Sequence, residues 1–169
     1  MTKLGVNLRL LAAILCLTAG VFGGAYSVLA QDEQEVKSEA EVKFDEINIK
    51  ALKEFGQQEG VIKRASGLLI KVITRGDGGI VSPNAKAIVH YEGSLADGTV
   101  FDSSYARGRP ANIPVNGVIK GWQEALLLMQ IGSKWEVALP ADIAYGKDGQ
   151  RGIPPNANLF FTMELIGGQ

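Results

Sequence analysis

Ala87-Ile88-Val89-His90-Tyr91-Glu92-Gly93-Ser94-Leu95-Ala96-Asp97-Gly98-Thr99-Val100-Phe101-Asp102-Ser103-Ser104-Tyr105 is the stretch on which the fold turns. Residues 87–93 alternate β-branched and aromatic side chains with others, the pattern of a half-buried strand. Asp97-Gly98 marks a turn, because the backbone there must enter positive φ and glycine does so without steric cost. Val100 resumes the strand, which ends in the small hydroxyls of Ser103 and Ser104, suited to capping a bend. The predicted hairpin brings Tyr91, Phe101 and Asp102 together. One carboxylate beside two rings makes an apolar pocket with a single polar handle, not an acid–base pair.

Working outward, Arg107-Gly108-Arg109-Pro110 reads as a loop of solvated charges, since neither a helix N-terminus nor a glycine cradle accompanies them. Residues 112–116 form a short strand. Val118-Ile119 then lead into a helix with Trp122, Ala125, Leu126 and Met129 at i, i+3, i+4 and i+7, which buries one face. Gly132 ends it. Residues 133–139 alternate, with Trp135, Val137 and Leu139 on one side. The last strand points Leu159, Phe161, Met163 and Leu165 inward and Phe160, Thr162 and Glu164 outward. Upstream, residues 67–74 form a first strand closed by Gly76-Asp77-Gly78-Gly79, and Pro83-Asn84 turns the chain into the hairpin. Short strands around one good helix predict an α+β domain, a curved antiparallel sheet wrapped around that helix.

The N-terminal third is different in kind. Lys3 and Arg9 precede an uncharged run, residues 10–30, that ends Ser27-Val28-Leu29-Ala30 before Gln31-Asp32-Glu33. A basic start, an apolar centre and small residues at the end describe a secretory signal peptide cleaved after Ala30. An uncleaved signal anchor is the alternative, because about 20 apolar residues span a bilayer. A lipoprotein signal at Cys16 is disfavoured, since Ala13-Ile14-Leu15 lacks the usual small residue before the cysteine. Cleavage removes Lys3, Arg9 and the single cysteine, and leaves the mature chain more acidic than the precursor's net charge of −1. A thiol-free protein suits an oxidising compartment without demonstrating one.

Residues 31–60 are rich in Glu, Lys, Gln and Ala, good helix formers. Val36, Ala40, Phe44, Ile47, Ala51 and Phe55 draw a thin apolar stripe along a predicted helix that ends between Gly56 and Gly60. The stripe needs a partner: its own domain, a second copy through residues 32–55 as a weak homodimer, or a client. Without one the segment is a solvated linker.

Inventory excludes several chemistries. The pI near 5.9 gives no electrostatic footprint for nucleic acid. His90 is the only histidine, so neither a metal site nor a cofactor is expected from the ligands available. A Ser-His-Asp triad could use only His90, which between Val89 and Tyr91 reads as an ordinary strand residue. The aromatic residues Trp122, Phe161 and Tyr91 would by spacing alone be plain core.

Five motifs in order change that weighting. Val89-His90-Tyr91 with Gly98, Phe101-Asp102-Ser103-Ser104, Val118-Ile119-Lys120-Gly121-Trp122, Ala144-Tyr145-Gly146 and Ile153-Pro154-Pro155 resemble the signature of the FKBP-type peptidyl-prolyl isomerases, over roughly residues 66–166. Residues 55–69 are similar to the entry into the catalytic domain of macrophage infectivity potentiator-type members, which carry a longer helical dimerisation region. The resemblance implies domains at 1–30 (signal), 31–60 (helical segment) and 61–169 (isomerase). It implies Trp122 as pocket floor and Tyr91, Phe101, Val118, Ile119 and Phe161 as walls. Asp102 resembles the family's buried carboxylate, Tyr145 the phenol that hydrogen-bonds a ligand carbonyl, and Ile119 the backbone donor. Ile153 belongs to a loop overhanging the site, and Arg107 matches a residue that braces Asp102 and Tyr91. Implied partners are proline-containing polypeptides of exported proteins, with macrolide inhibitors as pocket ligands. Two departures bear on substrate range: Ala111 stands where many members carry a bulky aromatic, and Gly149-Gln150-Arg151-Gly152 lacks a histidine found in some. The competing reading is a non-catalytic periplasmic chaperone that grips chains in the same groove.

Overall fold

The structure, a computed structural model, describes residues 38–168. The expected export signal and cleavage point, and the start of the charged segment, Val36 included, lie outside these residues. In chain order the elements are α1 (Glu39–Gly56), β1 (Val61–Lys63), β2 (Leu69–Thr74), β3 (Lys86–Ser94), β4 (Val100–Ser103), β5 (Ala111–Pro114), α2 (Lys120–Leu128), β6 (Lys134–Leu139) and β7 (Leu159–Gly168).

The hairpin forms as read. Glu92 faces Ser103 and Gly93 faces Asp102, with a bulge before Ser94 meets Val100. In the turn, Asp97 Oδ1 accepts the Thr99 N–H at 2.9 Å and Gly98 sits at φ +85°. β3 is the spine of the sheet. One edge pairs along its length with β7, from Ala87↔Gly168 to Ser94↔Phe160, and the other edge takes β5 and then β4. The sheet continues from β7 through β6 and β2 to β1, all antiparallel. Register shifts in β2/β6, β3/β4 and β3/β7 are the irregularities that bend such a sheet.

The α+β expectation therefore holds, and its core is the one the periodicities describe. Trp122, Ala125 and Leu126 of α2, with Met129 at its C-cap, pack against Val89, Val137, Leu139, Met163 and Leu165 from three adjacent strands. Along β7 burial alternates, with Leu159, Phe161, Met163 and Leu165 inside.

Among the described residues α1 belongs to the same compact unit as the sheet. The apolar stripe has the first of its three expected partners, its own domain. Phe55 and Leu52 pack with Leu69, Ala138, Phe160 and Val61, and Phe44 packs against the main core. Phe160, read as outward, does leave the main core, but α1 covers it, with the Phe55 and Phe160 rings 6.1 Å apart. The helix start carries a signal the sequence reading missed. Ser38 and Glu41 form a capping box, in which Ser38 Oγ accepts the Glu41 N–H and the Glu41 carboxylate accepts the Ser38 N–H at 2.7 Å.

Candidate active site

The N-terminus of α2, strands β3, β4 and β7, and the loop between β6 and β7 enclose a cavity of about 510 Å³. That is within the range of small-ligand sites, roughly 300–1,000 Å³. Tyr91, Phe101, Asp102, Val118, Ile119, Trp122, Tyr145 and Phe161 all line it, as their positions in the motifs implied. Ile113, Gly117 and Gln150 line it as well and were missed.

The apolar part is a set of rings meeting edge to face. Tyr91 stands perpendicular to Trp122 at 4.9 Å between centroids, Phe161 nearly so at 5.2 Å, and Phe101 meets Phe161 at 5.6 Å and 89°. Such edge contacts place ring hydrogens on π faces and add about 0.5–1.5 kcal/mol per pair to simple burial. Trp122 is 5% exposed, and its Nε1–H has no hydrogen-bond partner among the described residues. A buried donor left without an oxygen is costly. The indole packs against the Tyr91 and Phe161 rings, so the floor is aromatic.

Gly93 makes this packing possible. A Cβ there would lie 2.6 Å from the Phe161 ring and 2.7 Å from the Phe101 ring, so only a hydrogen fits under the two walls. Gly93→Ala is expected to destabilise the fold by about 1–3 kcal/mol through overpacking. It is also expected to displace both rings from the cavity wall. Thermal unfolding beside the aromatic NMR shifts checks both.

The polar part is a triad on the cavity edge. Asp102 accepts from the Tyr91 hydroxyl and from the Arg107 guanidinium, and Arg107 Nη2 also donates to the Tyr91 oxygen at 2.9 Å. The guanidinium carbon stands 5.5 Å from the Tyr91 ring centroid. Burial alone would raise the Asp102 pKa, but the hydrogen bonds from Tyr91 and Arg107 and the arginine's charge outweigh it, and the carboxyl is held below its ordinary value. Burial and the Asp102 hydrogen bond raise the Tyr91 phenol. At neutral pH the site therefore presents a fixed carboxylate and intact phenols rather than a proton shuttle. Tyr145 is raised too, first by burial and then by the charge of Asp102, against an opposing hydrogen bond with Gln150. It stays a neutral O–H donor.

Three placements differ from, or refine, the sequence reading. Arg107 does not line the cavity; it acts on the lining through Asp102 and Tyr91, and is no idle loop charge. Ile153 lies in the β6–β7 loop, but its side chain is 3% exposed and packed into the core. Its backbone pairs both ways with Gln150, and it is the Gln150 side that faces the cavity. Ala111 pairs with Val89 at the start of β5 and is not part of the lining; Ile113, on the same face of β5, is. Ile119 is the N-cap residue of α2, at an end where backbone N–H groups have no intrahelical acceptor.

His90 is structural, as its strand context suggested. Its ring stacks on Tyr105 at 4.5 Å and its Nδ1 lies 2.7 Å from Ser104 Oγ. Ser104 Oγ accepts the Tyr91 N–H at 2.7 Å and lies 3.1 Å from the Tyr91 carbonyl. Its one hydrogen serves either that carbonyl or His90 Nδ1, according to the histidine tautomer. The serine is locked into the strand and is no nucleophile.

Comparison with known proteins follows the same lines. Residues 78–166 match the family described as FKBP-type peptidyl-prolyl cis-trans isomerase. The chain is 52% identical over 119 residues to the FKBP-type 22 kDa peptidyl-prolyl cis-trans isomerase of Escherichia coli, an alignment covering 70% of this chain and 58% of that protein. It is 50% identical over 108 residues to the peptidyl-prolyl cis-trans isomerase Mip of Coxiella burnetii, covering 63% of this chain and 47% of that one. Among solved structures it is similar to a peptidyl-prolyl cis-trans isomerase from Pseudomonas syringae pv. tomato, with a TM-score of 0.69 and 32% identity over 79% of this chain and 98% of that one. The chain spans about half the length of the two sequence relatives.

Proposed function

The chain belongs to the FKBP-type peptidyl-prolyl cis-trans isomerases, and from that premise we propose that its cavity accelerates cis/trans exchange of X-Pro bonds in polypeptides. The observation that carries the reading is the pairing of an aromatic floor with a fixed polar edge in one cavity.

The amide resists rotation because its C–N bond is partly double, with a barrier of about 18–20 kcal/mol. No bond to carbon need form or break. What lowers the barrier is a site that binds the twisted amide better than the planar one. The planar amide is the more dipolar, so the aromatic floor of Trp122, Phe161 and Tyr91 penalises it relative to the twisted form. The proline ring packs on Trp122. The Tyr145 hydroxyl and the amide at Ile119 hold flanking carbonyls, and the Asp102 carboxylate, fixed by Arg107 and Tyr91, supplies a standing field on the rotating carbonyl. A macrolide ligand would use the same floor and donors.

We place the clients among exported proteins on the strength of the basic start, apolar run and Val28-Leu29-Ala30 of the first thirty residues. Among the described residues no helix is long and apolar enough to cross a membrane. The deciding experiment is a proline-isomerisation assay on the full mature chain with a short X-Pro peptide. Acceleration well above the uncatalysed rate is expected. A folded protein that leaves the rate unchanged, yet suppresses aggregation of an unfolded client, would replace this reading with the non-catalytic chaperone.

A further inference from the structure

We propose that α1 is a brace for the β6–β7 loop and that Asn48 is its positioning residue, holding Tyr145 and Gln150 at the cavity from outside the site. The inference rests on the isomerase reading for its kinetic consequence, but not for its structural one.

Asn48 sits in the middle of the apolar face of α1, four residues after Phe44 and three before Ala51, and is only 5% exposed. A leucine there would dock the helix at no polar cost, whereas a buried amide is tolerated only when its hydrogen bonds are made. They are made, and all to one loop. Asn48 Nδ2 donates to the Asn156 carbonyl at 2.7 Å, and Asn48 Oδ1 accepts the Asn158 N–H at 2.7 Å. The Asn158 side chain donates back to the Asn48 carbonyl at 3.0 Å, and its Oδ1 accepts the Ala141 N–H at 3.1 Å. A satisfied buried network of this kind fixes geometry more than it adds stability.

The loop it grips is the one that carries the site. Ala141 opens the short turn before Tyr145, and Asn156 closes the loop by donating its N–H to the Gly146 carbonyl at 2.8 Å. Of the two feet of the segment bearing Tyr145 and Gln150, Asn156 is tied to the Asn48 side chain directly and Ala141 through Asn158, whose side chain donates to the Asn48 carbonyl. Asn156 itself is at φ +58°, the one described residue other than glycine in the left-handed region. Such a conformation persists where surrounding bonds hold it. Further along α1, Phe44 and Ala40 border Pro154 and Pro155, so the helix flanks the loop tip as well as its base. On this proposal α1 contributes to turnover even of short peptides.

The test compares Asn48→Ala with Phe55→Ala in the full mature chain. Both weaken α1 docking, but Phe55 lies at the far end, on Leu69 and Phe160. Asn48→Ala is expected to speed hydrogen exchange of the Gly149, Gln150, Ile153 and Asn156 amides at least about tenfold, the mark of a local opening, while Gly98 in the β3–β4 turn exchanges as before. It is also expected to lower kcat/KM roughly three- to tenfold, since small misplacement of a positioned group is felt in rate. Phe55→Ala should lower Tm and leave both loop exchange and kcat/KM of folded molecules unchanged. Asn48→Asp, which keeps the acceptor for Asn158 but loses the donor to Asn156, should give an intermediate exchange pattern and serves if the alanine variant does not fold. Loop amides that exchange as in the unmodified protein, or the same loop pattern in Phe55→Ala, would overturn the brace. An unmodified protein without isomerase activity would remove the proposed function and leave the exchange comparison to decide this inference alone.

Discussion

Trp122→Ala should cut kcat/KM for an X-Pro peptide at least about a hundredfold, a loss of about 2.7 kcal/mol of transition-state stabilisation. The indole is the floor on which Tyr91 and Phe161 stand edge-on, so its removal opens the cavity to water and frees both walls. The same change empties a buried site and is expected to cost about 3–5 kcal/mol of stability. The chain contains its own control. Trp135 is the other tryptophan, 8% exposed on β6 between Val72 and Met163, and it does not line the cavity. Trp135→Ala should destabilise comparably and leave turnover per folded molecule near that of the unmodified protein. Urea unfolding gives the folded fraction for each variant. Equal kinetic losses in the two would mean that Trp122 acts through general stability, and the floor role would fail.

Asp102→Ala should reduce kcat/KM tenfold or more, about 1.4 kcal/mol or above. It strips the carboxylate from the cavity edge and leaves the Tyr91 hydroxyl and Arg107 paired only with each other. The pH dependence follows from sign. The folded-state pKa of Asp102 lies below the unfolded value, so its partners contribute stability above the unfolded pKa, near 3.9, and that contribution is lost as pH falls through the folded value. The unmodified protein should therefore hold its Tm through pH 5 and lose this part of it only at more acid pH. Asp102→Asn keeps the shape without the charge, so its Tm curve should lack that component. Because the side chain is 41% exposed, solvent screening keeps the stability change small beside the kinetic one. A variant with full activity between pH 6 and 8 would show that the carboxylate is only a turn anchor.

The two experiments address different halves of the site, and those halves were legible to different degrees. The ring set could be read from alternation and helical spacing, because Trp122, Phe161 and Tyr91 each sit at a buried phase of their own element. That they enclose a cavity rather than fill a core needed motif order, then geometry. Arg107 shows the limit from the charged side. On local pattern it is a solvated loop residue, yet it bonds Asp102 five residues earlier and Tyr91 sixteen earlier.

What the chain determines by itself is local. The turn at Asp97-Gly98, the inward phase of β7 and the buried face of α2 depend on steric preference and on the partition of neighbouring side chains, so they are written where they act. What only tertiary structure decides is which distant groups meet. Ile153 turns into the core and yields the cavity to Gln150, although the two are three residues apart in one loop. Asn48, a polar residue on an otherwise ordinary helix, finds its partners 108 and 110 residues away. No periodicity encodes such a contact, because a hydrogen bond depends on ångström-scale distance and direction, and these exist only after the helix, sheet and loop have packed.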